Sequence, residues 1–159
     1  MSRHKNKLNW CLKNGKRMKR IAPNSRLSEE HIEKAKHNLK AADFNIQGGF
    51  SDWAISQLYY AMYHSLLAVL FKKGFESKNH ECTINAIEYL IEKKEINLNK
   101  EDITFIRTTE QMTQKDAKSL REEFQYGTKT EVNKILLNEL IKKSKAIVEK
   151  IEVILNEQF

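Results

Sequence analysis

Apolar residues in this chain recur every three or four positions over long stretches, the period of helices rather than strands. Ile32, Ala35, Leu39, Ala42 and Ile46 form one such seam. Ser28, followed by Glu29 and Glu30, predicts the helix start: a hydroxyl caps the first turn and acids suit its positive end. Gly48-Gly49 predicts its end. A second helix is expected over about 52–73, capped by Ser51 and stopped by Gly74 after Lys72-Lys73. Trp53, Ile55, Leu58, Tyr59, Met62, Leu66, Leu67 and Leu70 make it apolar nearly all round, which marks a central, buried helix. A third helix is expected from Asn79 to about Lys94, with Ile84, Ile87, Leu90 and Ile91 inward. Asn99 opens a fourth, with Asp102 placed as in a capping box and Ile103, Phe105, Ile106 and Met112 as its apolar set. That helix continues, polar and with room for a break, to Tyr126, and Gly127 is the next break. The last spans about 131–156 on Val132, Ile135, Leu136, Leu140, Ile147, Ile151, Ile154 and Leu155. No stretch alternates with a period of two between turn signals, so no sheet is expected. The pattern predicts an all-α, up-and-down bundle of four to five helices with a basic N-terminal arm.

Charge divides the chain. Residues 1–27 hold nine Lys/Arg and no acid, while the remainder has 19 basic residues against 21 acidic. Pro23 separates this arm (1–27) from the bundle (28–159), and the 159 residues suit one domain at about 100–200 residues each. Any electrostatic argument for a polyanionic partner is an argument about the arm. The longest apolar run, Leu66 to Phe71, is far short of the ~18 residues of a membrane span. No apolar signal core follows the basic N-terminus. A cytoplasmic protein with no membrane partner is the expectation. The two cysteines, Cys11 in the arm and Cys82 in a helical stretch, make no disulfide framework and are expected to be reduced thiols.

The candidate chemistry gathers in 56–82, where an apolar helix carries Tyr59, Tyr60, Tyr63 and His64 and restarts on Ser77-Lys78-Asn79-His80. Phenols and an imidazole are costly to bury unless each polar tip finds a partner. Tyr60, Tyr63 and His64 occupy adjacent positions on one helical face. They line a nucleotide or RNA pocket, or they are core aromatics bonded to neighbouring helices. Lys78 and His80 stand at a helix N-terminus, either an anion site or an ordinary cap with an exposed lysine. His80-Glu81-Cys82 offers metal-type donors, but no second Cys/His pair stands at zinc-like spacing, and His31 and His37 are not on one face. No metal site and no cofactor are expected. Arg121, with Glu122 or Glu123 to orient it and Tyr126 to donate, can hold a phosphate, or the run is a solvated helix end. The arm, with Trp10 among its cations, grips a phosphate backbone, hangs as a solvating tail, or docks on the bundle through Leu8, Trp10, Leu12, Met18 and Ile21.

Four pieces together resemble a HEPN domain (higher eukaryotes and prokaryotes nucleotide-binding), closest to small archaeal single-domain members. They are Leu8-Asn9-Trp10-Cys11-Leu12-Lys13; Trp53-Ala54 through Tyr59-Tyr60-Ala61-Met62-Tyr63-His64; Lys73-Gly74 with Ser77-Lys78-Asn79-His80-Glu81-Cys82-Thr83-Ile84; and Leu120-Arg121-Glu122 with Tyr126-Gly127. The resemblance implies a four-to-five-helix bundle, often a symmetric dimer. Many members are metal-independent ribonucleases using an Arg, a polar residue and a His four to six residues on. Others partner small nucleotidyltransferases in toxin–antitoxin pairs, and some are non-catalytic nucleotide or RNA binders. Arg121 and Glu122 match the first two motif positions, but Tyr126 stands where the His belongs, and no His follows His80. Tyrosine, with an ordinary pKa of about 10, is a poor acid/base near neutrality, where histidine titrates. The expectation is therefore a nucleotide- or RNA-binding domain, non-catalytic or weakly catalytic, dimeric, with a nucleotidyltransferase partner. Its alternatives are a metal-independent ribonuclease with a degenerate Arg-x4-Tyr motif and a ligand-free helical interaction module. Arg121, Tyr126, Lys78, His80, Tyr60, Tyr63 and His64 are the candidate ligand contacts; Arg121, Glu122 and Tyr126 are the candidate catalytic groups.

Overall fold

The structure, a computed structural model, describes residues 2–114 and 133–157. Along the chain run α1 (Arg3–Leu12), β1 (Met18–Arg20), α2 (Ser25–Gln47), α3 (Ser51–Lys73), β2 (Phe75–Ser77), α4 (His80–Glu92), α5 (Lys100–Gln114) and α6 (Lys134–Glu157). The fold is an all-α bundle built around α3. Leu58, Met62, Leu66, Ala68, Val69 and Leu70 of α3 are fully buried. A helix that is apolar on every side must be enclosed on every side. α2 runs antiparallel to it, tied at one end by Ser28 Oγ donating to the Ala68 carbonyl (2.7 Å) and at the other by Asn45 Nδ2 donating to Gln57 Oε1 (2.9 Å). α4, α5 and α6 add Ile84, Ile87, Ile103, Ile106, Ile147 and Ile151 to the main core. Leu137 and Leu140 of α6 meet Ala42, Ala54, Ile55 and Leu58 in a smaller cluster. By length and composition α3 also suffices to cross a membrane, which its longest apolar run does not suggest; 78% of its most apolar window is buried inside the bundle.

The helix ends follow local chemistry. Gly74 takes the left-handed C-cap of α3 at φ 91°. A Cβ there would come within 2.8 Å of the Ile21 carbonyl oxygen, so only glycine fits. Asn99 and Asp102 exchange the two bonds of a capping box: Asp102 N donates to Asn99 Oδ1 (3.0 Å) and Asn99 N to Asp102 Oδ2 (3.4 Å). α2 starts three residues before the expected Ser28. Asn24 is its cap, accepting from Leu27 N at 2.9 Å, and Ser28 is buried with its hydroxyl turned to α3. Ser51 is the first residue of α3 rather than its cap; Phe50 holds that position and offers no side-chain bond.

Two sequence expectations are overturned. A small antiparallel sheet exists: β1 pairs with β2 in the register Met18↔Ser77, Lys19↔Glu76, Arg20↔Phe75. Three residues per strand are too few to show an alternating pattern. The cysteines are not free thiols: Cys11 and Cys82 form a disulfide across 71 positions, with both residues fully buried. It ties α1 to the first turn of α4, and a bonded pair removes the thiols as an argument for a reducing compartment. The arm is thus folded onto the bundle. Leu8 and Met18 are fully buried and Leu12 and Ile21 partly so, while Trp10 stays 51% exposed.

Opening the disulfide restores a long loop to the unfolded chain, worth about 2–4 kcal/mol. Cys11→Ser is expected to lower the urea midpoint accordingly, and reductant to move wild type to the same midpoint while leaving the variant unchanged. An unmoved midpoint in both would show that the bridge contributes nothing. Gly74→Ala is expected to cost about 1–3 kcal/mol through the forced left-handed conformation, with the steric conflict added.

Candidate functional site

α3 presents Tyr59, Tyr60 and Tyr63 toward the first turn of α4, where His80 stands. That turn is built by Asn79, whose Oδ1 accepts from Cys82 N (2.9 Å) and whose carbonyl accepts from Thr83 N (2.9 Å). The side-chain cap consumes one of the amides that an anion would need. His80 lies flat against Tyr63, ring centroids 4.2 Å apart, and its Nδ1 shares a 2.7 Å hydrogen bond with the Tyr59 hydroxyl. Tyr60 meets His80 edge-on at 6.2 Å and Tyr59 at 5.2 Å. The Tyr63 hydroxyl bonds Thr83 Oγ1 (3.2 Å), which donates onward to Ser77 Oγ (2.7 Å). Glu110 of α5 brings Oε1 to 3.6 Å from His80 Nδ1. The result is a four-ring cluster in which a hydroxyl and a carboxylate both approach His80 Nδ1.

The cluster grades from buried to open. Tyr59 is fully buried and Tyr63 nearly so, but Tyr60 is 42% exposed. Burial, then the Glu110 charge, pushes the Tyr59 hydroxyl well above its ordinary value. Burial likewise raises Tyr63, against the opposing Thr83 hydrogen bond. Both phenols are therefore neutral hydrogen-bonding groups near neutral pH.

His64 does not share this site. It points to α2, where its Nδ1 lies 3.0 Å from Nδ1 of His31; His31 in turn stacks on Phe71 at 5.0 Å. Burial, then His31 and Lys34, pulls the His64 pKa from 6.5 down to about 4. Burial also lowers His31, opposed by Glu30. This is a packed imidazole pair. Lys78 is exposed, its ammonium 3.6 Å from Glu76. The three donors of His80-Glu81-Cys82 diverge: His80 turns to the tyrosines, Glu81 pairs with Arg107 at 3.0 Å, and Cys82 is in the disulfide. Arg121, Glu122 and Tyr126 lie outside the described residues. Two clefts of about 490 and 450 Å³ lie elsewhere, the first bordered by His4, Glu88 and Arg107, the second by Phe105, Met112 and Leu136.

Sequence reasoning placed Tyr59 in the core and missed it as a partner of His80. The signal was present: Tyr59 and Tyr63 are four apart and share a face, which separates them from His64. Nothing in the sequence marks Glu110, which reaches the cluster only through the packing of α5 on α3.

A family model described as the HEPN domain matches residues 28–154. The UPF0332 protein of Archaeoglobus fulgidus is 31% identical over 131 residues, covering 81% of this chain and 95% of that protein. A protein of Methanocaldococcus jannaschii, named as a candidate toxin, is 36% identical over 52 residues, 33% of this chain and 35% of its own length.

Tyr59→Phe is expected to cost about 0.5–1.5 kcal/mol, because His80 Nδ1 loses its partner. Tyr60→Phe is expected to be near neutral in stability, since its ring is half in solvent. Paired denaturation curves check both, and equal losses would contradict the gradient of burial. For the His31–His64 pair, the unfolded chain binds protons near 6.5 and the folded chain only at lower pH. Its stabilisation is therefore complete above about 6.5 and is lost as pH falls toward 4. Melting temperature is expected to fall through that window, and His64→Phe to flatten the fall.

Proposed function

The chain belongs to the HEPN domain family, and we propose that it is a nucleotide- or RNA-binding helical domain acting in a toxin–antitoxin-like pair, with a separately encoded nucleotidyltransferase as its partner in the cytoplasm. The observation that carries the binding reading is the Tyr60 ring, half open to solvent over the His80 cluster. It offers a stacking face beside a hydrogen-bonding imidazole, the combination that holds an unpaired base. The toxin reading is supported by the name of the Methanocaldococcus jannaschii relative and by the family itself. Arg121 anchors the phosphate in this proposal, as the side chain with fixed charge and a planar fork. Exposed Phe44, Phe50 and Trp53 flank the α2–α3 turn, and Ile135 of α6 is 82% exposed. Apolar surface of this kind supports self-association, so the functional unit is proposed to be a homodimer.

One observation favours the ribonuclease alternative. The segment from Arg121 to Tyr126 contains no histidine, but elsewhere the Tyr59 hydroxyl and the Glu110 carboxylate both approach the His80 imidazole. Metal-free cleavage of single-stranded RNA separates the readings. The binding reading expects weak cleavage by wild type, with RNA affinity lost in Arg121→Ala and Tyr60→Ala. The ribonuclease reading expects cleavage that His80→Ala abolishes while RNA binding persists.

The partner reading has its own test. Induced expression is expected to arrest growth, and co-expression of a nucleotidyltransferase encoded beside it to relieve the arrest. Light scattering at micromolar concentration is expected to give twice the monomer mass. A clean monomer would remove the dimer from the proposal.

A further inference from the structure

Carboxylates pair with several of the protein's cations but not with those around β1. In the bundle Lys36 pairs with Glu152, Arg107 with Glu81 and Glu88, Lys145 with Asp43 and Lys150 with Asp102. Among the described residues no carboxylate pairs with Lys13, Lys16, Arg17, Lys19 or Arg20, and the arm itself contains no acid. A solvating tail needs only charge. Here the charges are held in place by a folded strap, itself pinned by the buried Leu8 and Met18 and by the Cys11–Cys82 bridge.

The strand register says where they point. Residues directly opposite in an antiparallel pair share a face, and residues two apart on one strand do too. Lys78 N donates to the Arg17 carbonyl (2.8 Å), extending the pairing one step beyond Met18↔Ser77. Arg17, Lys19, Glu76 and Lys78 therefore stand on one face, opposite the buried Met18. Three cations and one acid occupy that face, and the exposed Lys16 precedes it directly in the chain. The Arg17 guanidinium is held twice by Trp10. Its guanidinium lies 3.6 Å over the Trp10 ring, and Nη2 donates to the Trp10 carbonyl at 2.7 Å. Trp10 remains half exposed despite that cover. Lys78 keeps its ammonium 3.6 Å from Glu76, while Lys16 and Lys19 pair with no carboxylate among the described residues. An ordered cation on an accessible indole, next to these lysines, suits a chain that presents phosphates and unstacked bases together.

We propose that this strap face, formed by Trp10, Lys16, Arg17, Lys19 and Lys78, is a docking surface for single-stranded RNA. It neutralises the phosphate backbone with its cations and stacks a base against Trp10. The surface deepens the RNA-binding reading by naming what holds the strand away from the Tyr60–His80 cluster. It lies largely outside residues 28–154, the part matched by the family model.

The test uses the full chain with Trp53→Phe, so that Trp10 is the one tryptophan that reports. The probe is a single-stranded adenosine dodecamer, titrated at several salt concentrations. Binding is expected to quench Trp10 fluorescence. The variant Lys16→Gln, Lys19→Gln, Lys78→Gln is expected to lower the slope of log affinity against log salt by about two, at about 0.7 per phosphate contact. These are surface substitutions, so its melting temperature should match wild type. Trp10→Ala, its binding read by the anisotropy of an end-labelled dodecamer because no tryptophan remains, is expected to weaken binding by about five-fold to about a hundred-fold, the range of one lost stacked base. Unchanged affinity and slope in the lysine variant would overturn the proposal. So would tighter binding of duplex RNA with Trp10 fluorescence unmoved, or quenching by phosphatidylserine vesicles but not by the dodecamer. Tyr60→Ala, at a half-exposed ring of the cluster, separates the two sites. Loss of dodecamer binding there, with the lysine variant normal, refutes the strap and spares the cluster. The reverse result refutes the cluster and spares the strap.

Discussion

Everything else in this fold follows from the need to enclose α3. Its apolar residues cover the whole helical circumference, so no orientation leaves a natural solvent face. α2, α4, α5 and α6 close around it, and each polar tip on it must then find a partner inside the protein. Ser65 Oγ donates back to the Met62 carbonyl, the Ala68 carbonyl accepts from Ser28, Tyr59 meets His80, and Tyr63 meets Thr83. An unpaired phenol at such a depth would cost more than the ring gains by burial relative to leucine. The aromatic cluster is the arrangement in which those costs are met.

That requirement also shapes the candidate site. His80 is placed by the N-cap of α4, and α4 is held at its first turn by Asn79 and by the disulfide to α1. Its ring is clamped between the Tyr63 face and the Tyr59 hydroxyl. In the proposed binding role, a rigid imidazole with one exposed aromatic neighbour would meet a ligand without reorganisation, which limits the entropic cost of binding. The same contacts stabilise the core. Removing Tyr59 or His80 thus touches folding, whereas the half-exposed Tyr60 can be changed with little effect on stability.

The helices were legible because their seams repeat many times: five positions in α2 and more in α3 average out local exceptions. Gly74 and the Asn99–Asp102 box were legible because their geometry is local and chemically specific. What failed was either short or distant. β1 and β2 are three residues each, below the length at which alternation shows. The Cys11–Cys82 bridge depends on where α1 docks, which no local pattern encodes. The cap of α2 moved from Ser28 to Asn24 because a buried serine bonded to α3 cannot also cap its own helix. Within the site, spacing grouped Tyr60, Tyr63 and His64, but a helix face is wide. Packing divided it, sending the tyrosines toward α4 and His64 toward α2.

The distribution of charge completes the physical picture. The bundle is slightly acidic overall and pairs several of its cations, and such pairs are largely screened at its surface. The arm has no acid of its own, and folding it onto the bundle concentrates repulsion unless the charges splay outward. Pairing β1 to β2 achieves that: Met18 turns inward to the core while Arg17 and Lys19 face out. The strap is therefore held by apolar contacts and a disulfide rather than by its charges. A polyanion bound as proposed would neutralise those charges. Its attachment and the strap's stability are then linked, because a ligand that binds only the folded form adds its own free energy to folding.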